Sequence, residues 1–470
     1  MRILKRLQAA CVLFILTAVA CSQELPIPLQ DALKRAEIPV NAAAVYVQEV
    51  GDGPVLIAHN AQQAFSPASV MKLVTSTAAL ELLGPTYTWK TRAFAEGVQH
   101  GDVLDGDLII KGSGDPKLTL ENFWLFLRRI RARGIREIRG NLLLDRSVFE
   151  EMAYDAAAFD GDPLKPYNVG PDALLLNYKA LMLRFVPDEG GRNVSVAMDP
   201  PFAGYTLVPP RLTNGECGEW RAGLRAAVDV SSARFAGTYA ASCGERTWYV
   251  HPYQITHTQY FDLVFRQMWS ELGGTLKGEV RAGSVPPTAR PIAEWESVTL
   301  PEVIRDINKF SNNVMARQLL LTIASHVTAQ PGNTTRGAAV IRTWLAEKGI
   351  DAPELVIENG SGLSRSERIS AMSLGRLLEA VFRSSLMPEF IASLPLAGND
   401  GTMRLRVKEQ AVSGHAHIKT GMLNGVRAIA GYVDAASGRR YVAVCFVNHP
   451  NATRAMEMQD LLLQWVYERG

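Results

Sequence analysis

This chain has no excess of one charge. Its 49 lysines and arginines stand against 47 aspartates and glutamates, a net charge of +2. That balance gives no electrostatic footprint for nucleic acid, so no nucleic-acid partner is expected. Low-complexity tracts and fixed-period repeats are absent, which excludes fibrous and solenoid architectures. No apolar run after the first 25 residues is long enough for a transmembrane helix. Cysteine is scarce, five in 470 residues, so stability must come mainly from apolar packing. At 47% hydrophobic and 20% charged, the chain can build a sizeable globular core, of more than one domain at this length.

The first residues are a different object. Arg2, Lys5 and Arg6 precede the apolar stretch CVLFILTAVA (11–20), which is too short to span a bilayer. Ala18-Val19-Ala20 has the small residues of a cleavage site, so 1–20 reads as a secretory signal peptide and the protein as exported to the periplasm. Cys21 follows directly. AVAC resembles a bacterial lipobox, with Ala18 where Leu is usual. Two readings stand: lipidation at Cys21, the only membrane attachment expected, or simple secretion. Export also permits a disulfide between Cys217 and Cys243, 26 positions apart, worth about 3 kcal/mol. Cys445, in YVAVCFV, reads as a buried strand residue.

Along the chain, 29–36 reads as a short helix. Residues 42–50 and 54–60 read as strands around a GDG turn. A helix from Ser69 to Leu83 stops at Gly84-Pro85, and it is apolar nearly all round, as buried helices are. Strand-and-turn texture follows from about 90, with an amphipathic helix at 121–134 and a strand at 137–145. Helical texture returns at 258–274, 299–310 and 311–324 with a break at the asparagines. Strands at 415–421, 426–434 and 440–448 precede a helix at 452–469, with Asn451 as its N-cap. The expected fold is α+β. A discontinuous domain (25–90 and 261–470) carries an antiparallel sheet flanked by helices. It is interrupted by a mostly β insertion (91–260) of two nested units, the inner at about 160–250.

Three short motifs carry chemistry. In SPASVMKL, Ser69 and Lys72 are three apart on a predicted helix and share a face. A serine hydroxyl needs a base to become a nucleophile, and a lysine can serve if burial or nearby positive charge disfavours its ammonium. Alone this pattern reads better as a helix cap with a stray lysine. Ser311-Asn312-Asn313 then supplies an SxN at a helix break, and Lys419-Thr420-Gly421 a KTG on a strand. S-x-x-K, an S-x-N and K-T-G are the motif set of penicillin-binding proteins and β-lactamases. Their order and structural contexts here point instead to a catalytic serine and lysine.

The chain thus resembles the class C low-molecular-mass penicillin-binding proteins, the exported serine D-Ala-D-Ala carboxypeptidases/endopeptidases. KGSGDP (111–116), CGEW (217–220), NKFSNNVMARQLLLT (308–322), ENGSGLSR (358–365) and GNDGTM (398–403) are similar to family segments, and the 242 positions from Ser69 to Ser311 suit the family. Two departures are Asn359, where Asp is usual, and Met422, where Ser or Thr is common after KTG. The resemblance implies a β-lactamase/transpeptidase-like fold, no cofactor and no metal. It implies peptidoglycan stem peptides as substrates and β-lactams as covalent inhibitors. Ser69 would be the nucleophile, Lys72 its base and Ser311 a proton relay. Asn313, Lys419, Thr420 and Gly421 would bind substrate, with the backbone N–H groups of Ser69 and Met422 as oxyanion hole. Arg365, Asp160 and Asp162 are further candidate substrate contacts, although Asp160-Gly161-Asp162 reads more simply as a turn. His415 and His417 form HxH, better explained by strand alternation than by metal binding. A β-lactamase-like hydrolase and a non-catalytic peptidoglycan-binding protein remain as alternatives. The insertion shows no E-x-x-L-N segment for the first, and a binder has no need of Ser69, Lys72 and Ser311 together.

Overall fold

The computed structural model describes residues 25–188, 190 and 192–470. The expected signal peptide (1–20) and Cys21 lie outside the described residues. At the centre is a five-stranded antiparallel sheet in the order Ala416–Leu423, Val426–Asp434, Arg440–Asn448, Ala43–Glu49, Val55–His59. The two ends of the chain meet within it, with Val45 opposite Cys445.

Side-chain alternation divides this sheet between two cores. Ala44, Tyr46, Val442, Val444 and Phe446 join a core with the helices Lys72–Leu83, Leu300–Lys309, Asn313–Thr328, Thr334–Glu347 and Ala371–Phe382. Val45, Val47, Ala443, Cys445 and Val447 face the opposite way, onto Ile27–Arg35 and Met456–Arg469. Both faces are covered, so the strands read as continuous apolar runs. Cys445 is wholly buried and unpaired, and burial pushes its thiol up to about 12.

Two expected elements are modified. Ser69 lies in a 3-10 turn, Ala68–Met71, and the α-helix begins only at Lys72. The closing helix begins with a 3-10 turn, Ala452–Ala455, before Met456–Arg469. Asn451 stands before that turn but its side chain makes no capping bond. Its amide donates instead to the Glu37 carbonyl at 3.2 Å.

Between Gly84 and residue 297 the chain builds separate sheets. Lys90–His100, Val103–Lys111, Glu137–Ile138 and Leu142–Asp145 combine with Thr275–Leu276, Val280–Ala282 and Arg290–Glu296 in a seven-stranded sheet. The strand expected at 137–145 is thus divided in two. Nested within this unit are a three-stranded sheet (Leu181–Pro187, Val194–Asp199, Arg246–Val250) and a four-stranded one that includes Ser232–Ala240. Cys217 and Cys243 are disulfide-bonded there. Phe123, Phe185 and Tyr239 share one core with Phe261, Phe265 and Trp269 of the helix His257–Glu271, and with Trp295. This core takes in the helix His257–Glu271 and Trp295, on the C-terminal side of residue 260, where the returning helical texture sets the expected boundary. The helical pattern at 258–274 belongs to this core because its aromatic stripe packs under the insertion's sheet.

Candidate active site

The 3-10 turn matters for the first motif. With three residues per turn, positions i and i+3 eclipse. Ser69 and Lys72 are thereby stacked, with Lys72 Nζ 3.0 Å from Ser69 Oγ. The same nitrogen is 2.5 Å from Asn313 Oδ1 and donates to the Ser361 carbonyl. Both of those partners are obligate acceptors. A neutral amine has two N–H bonds and one lone pair, so its N–H groups go to Asn313 and Ser361 and the lone pair is left for the Ser69 hydroxyl. Burial, complete at Lys72, drives its pKa well below the usual lysine range. The positive charges of Lys419 and Arg317 add to this, and Glu367 opposes it.

The second and third motifs close the other side. Ser311 joins the helices Leu300–Lys309 and Asn313–Thr328 in the left-handed region, at φ +57°, a conformation an ordinary residue holds only when its surroundings impose it. Asn312 caps the second helix, its Oδ1 accepting from the Met315 N–H at 3.0 Å. Lys419 Nζ donates to Ser311 Oγ at 3.0 Å and to the Thr420 carbonyl at 2.7 Å. It is fully buried, and that burial pushes it down to about 7. Thr420 Oγ1 is 2.7 Å from Thr402 Oγ1, in the GNDGTM segment, and Asp400 of that segment pairs with Lys309 at 2.5 Å.

The glycine of KTG has a steric reason. A Cβ on Gly421 would sit 2.7 Å from the Pro67 carbonyl oxygen and 3.1 Å from Ser69 N. Only a bare Cα lets this strand lie against the serine turn. The strand is also the edge of its sheet. Early on, its outer side is occupied: Ile418 N–H donates to Pro395 O and Ala416 O accepts from Ala397 N–H, both at 2.8 Å. By strand alternation, the backbone of Thr420 and Met422 points to that same outer side. An extended peptide can add there as a further strand, next to Ser69.

A buried loop supports the lysine. Glu367, 1% exposed, accepts the N–H groups of Glu358, Asn359 and Gly360 at 2.8–3.0 Å, yet burial still raises its pKa. Asn359 Oδ1 accepts from Ser361 N–H and Oγ, and its amide donates to the Leu363 carbonyl at 3.0 Å. The amide thus both accepts and donates, and an ionised Asp would lack the donor. A Cβ on Gly362 would sit 1.9 Å from the Ala68 carbonyl oxygen, which presses this loop against the serine turn. Motif reading does not reveal Ser361, Glu367, Thr402 or Arg317 as members of the site. Arg317, Ser361 and Thr402 fall inside family-like segments and Glu367 just beyond one, but which atoms they offer depends on the fold.

The remaining candidates sit at the rim. Arg365 lies over the Phe159 ring at 4.8 Å and donates to the Asn424 carbonyl, just past the KTG strand. Asp160 is held by Lys165 (3.0 Å), Tyr167 (2.7 Å) and Asn168 (2.8 Å). Burial would raise its pKa, but these hydrogen bonds outweigh it and bring the carboxyl to about 2. Asp162 accepts from Leu164 N–H at 3.2 Å. Both aspartates are engaged within their own turn. The Met422 side chain is 60% exposed. His415 packs on Tyr467, and burial lowers the pKa of His417. Among the described residues, no cluster of His, Cys, Asp and Glu is able to hold a metal ion, and no helix is long and apolar enough to cross a membrane.

Comparison with known proteins gives the family of the chain. Residues 25–468 match the D-Ala-D-Ala carboxypeptidase 3 (S13) family. The chain belongs to that family. It is a serine D-Ala-D-Ala carboxypeptidase of the penicillin-binding-protein type. Among its relatives is the D-alanyl-D-alanine carboxypeptidase of Actinomadura sp. (strain R39), 29% identical over 449 residues, 89% of this chain and 80% of that one. The carboxypeptidase DacB of Haemophilus influenzae is 24% identical over 413 residues, covering 85% and 84%. The crystal structure of penicillin-binding protein 4 from Haemophilus influenzae superposes with a TM-score of 0.79 at 22% identity, covering 93% of this S13 chain and all of that one. That protein has also been crystallised with a β-lactam. The α+β fold with its inserted sheets is thus the S13 fold.

Proposed function

We propose that Ser69 attacks the carbonyl between the two D-alanines that end a peptidoglycan stem peptide, with Lys72 as its base. The observation that carries this is the amine's surroundings. Lys72 Nζ lies 3.0 Å from Ser69 Oγ with two acceptors, Asn313 Oδ1 and the Ser361 carbonyl, around it, so in the neutral amine both N–H bonds can go to those acceptors and the lone pair can take the Ser69 proton. Ser311, hydrogen-bonded to Lys419, relays a proton to the departing D-alanine. Lys419, Thr420 and the Gly421 backbone receive the terminal carboxylate, and the peptide lies along the open strand edge. Asn313 orients the acyl side through its amide nitrogen. The N–H groups of Ser69 and Met422 hold the oxyanion, where one donor typically contributes about 100- to 1,000-fold in rate. Water then attacks the acyl carbon and breaks its ester bond to Ser69 Oγ, freeing the shortened peptide as a carboxylate and restoring the serine hydroxyl. The same chemistry cuts the D-alanyl cross-link between stem peptides. A β-lactam acylates the same serine, because it presents an amide and a carboxylate at the same positions.

The basic and apolar start of the chain and the Cys217–Cys243 disulfide support export to an oxidising compartment, the periplasm. Ser69→Ala tests the assignment. Loss of both D-alanine release and labelling by a fluorescent penicillin is the expected result. Undiminished labelling of that variant would overturn it.

A further inference from the structure

Next to the base lies a buried carboxylate that no ion pair neutralises. Glu367 is 1% exposed. Among the described residues its carboxylate makes no ion pair, and its Oε2 has no partner. A buried carboxylate is costly unless something offsets it. Two things do so here. Three successive N–H groups, of Glu358, Asn359 and Gly360, converge on its Oε1, which makes that turn a backbone nest for an anion. Two cations, Lys72 and Arg317, act on it from further off.

The turn held in this way is pinned to the helix of the base from its other side. Thr75, three residues after Lys72 on that helix, donates to the Gly360 carbonyl at 2.7 Å. Lys72 donates to the next carbonyl, that of Ser361. Glu367 thus fixes the N–H side of a turn whose carbonyl side meets the base. The charged groups facing Lys72 come from three elements. Lys419 of the KTG strand and Arg317 of the Asn313–Thr328 helix disfavour its ammonium, and Glu367 of this loop favours it. Glu358, beside the turn, and Tyr154 act on Arg317. Without the Glu367 charge the two cations would act on the amine unopposed, and a less basic amine is a poorer proton acceptor.

We infer that Glu367 is a positioning residue for the base: it holds the Ser361 carbonyl against Lys72 and supplies the buried negative charge that keeps Lys72 basic enough to take the Ser69 proton. This rests on the assignment of Lys72 as the base. The test follows the rate of penicillin acylation against pH in two variants, with urea unfolding to show that each is folded. Glu367→Gln keeps an oxygen for the three N–H groups and removes the charge. Lys72 then stays neutral to lower pH, and the acid limb of the profile moves down by about one pH unit, the low end of the effect of one opposite charge. Glu367→Ala removes the acceptor as well, and acylation at its optimum slows about 100-fold, the usual cost of misplacing reacting groups by about 1 Å. A residue that only held the fold together would lower the unfolding midpoint and leave the limb in place. An acid limb at the wild-type pH in Glu367→Gln would therefore overturn the inference, and so would wild-type rates in Glu367→Ala. If the alanine variant does not fold, the glutamine profile decides alone. A wild-type profile with no acid limb would instead overturn Lys72 as the base.

Discussion

At the scale of single residues, the site is two buried lysines with opposite duties. In the proposed mechanism Lys72 acts when neutral and Lys419 when charged. Burial depresses both, Lys72 well below its usual range and Lys419 to about 7. For Lys72 the active form is gained as pH rises through its lowered pKa. For Lys419 the active form is lost as pH rises through about 7. Bell-shaped kcat/KM is the expected outcome, with its alkaline limb near pH 7 rather than near 10. A profile still rising at pH 9 would contradict the assigned roles. Gly421 makes the complementary point about space. In Gly421→Ala the new Cβ must push the KTG strand or the serine turn aside, since it meets the Pro67 oxygen at 2.7 Å. Penicillin acylation is expected to slow about 100-fold, the usual cost of misplacing reacting groups by about 1 Å. The motif residues were legible in the sequence because each is a chemical type at a fixed local spacing. The left-handed Ser311 and the Ser361 carbonyl were not, because nothing in a side-chain pattern reports backbone direction.

At the scale of elements, the Asn313–Thr328 helix is the part on which the site turns. It presents Asn313 to Lys72 at one end, and further along the insertion grips it. Gln318, fully buried, accepts from the Asp172 N–H at 2.9 Å and donates to the carbonyls of Asp172 (2.7 Å) and Gly114 (3.3 Å). Arg317 donates to the carbonyls of Tyr167 and Val169. Gln318→Leu keeps the volume but leaves buried backbone groups unpaired, at about 1–3 kcal/mol each. A lower midpoint in urea unfolding with little change in the slope is expected, together with slower acylation. Unchanged stability would show that the insertion's grip on this helix is idle. Strands and helices with strong periodicity, such as 426–434 and 440–448, could be read directly. The Ser69 helix was read as one element, because a 3-10 turn and the first α-turn have the same apolar composition.

At the scale of the whole molecule, the chain folds back on itself to bring Ser69, Ser311 and Lys419 together. The N-terminal strand pairs with the last strand, and everything from Lys90 to Glu296 is packed outside that sheet. A change of texture along the chain suggested a discontinuous plan. The point of return was not legible, because the helix His257–Glu271 has the same amphipathic look whichever core it serves, and only packing assigns it to the insertion. The central claim is that the three motifs make one nucleophile, Ser69. Its most direct test is to acylate the protein with penicillin, digest it with trypsin and locate the adduct by mass spectrometry. One penicilloyl group per chain is expected, on the peptide spanning residues 36–72 and within it on Ser69. An adduct on any other peptide, or one that persists in Ser69→Ala, would contradict it.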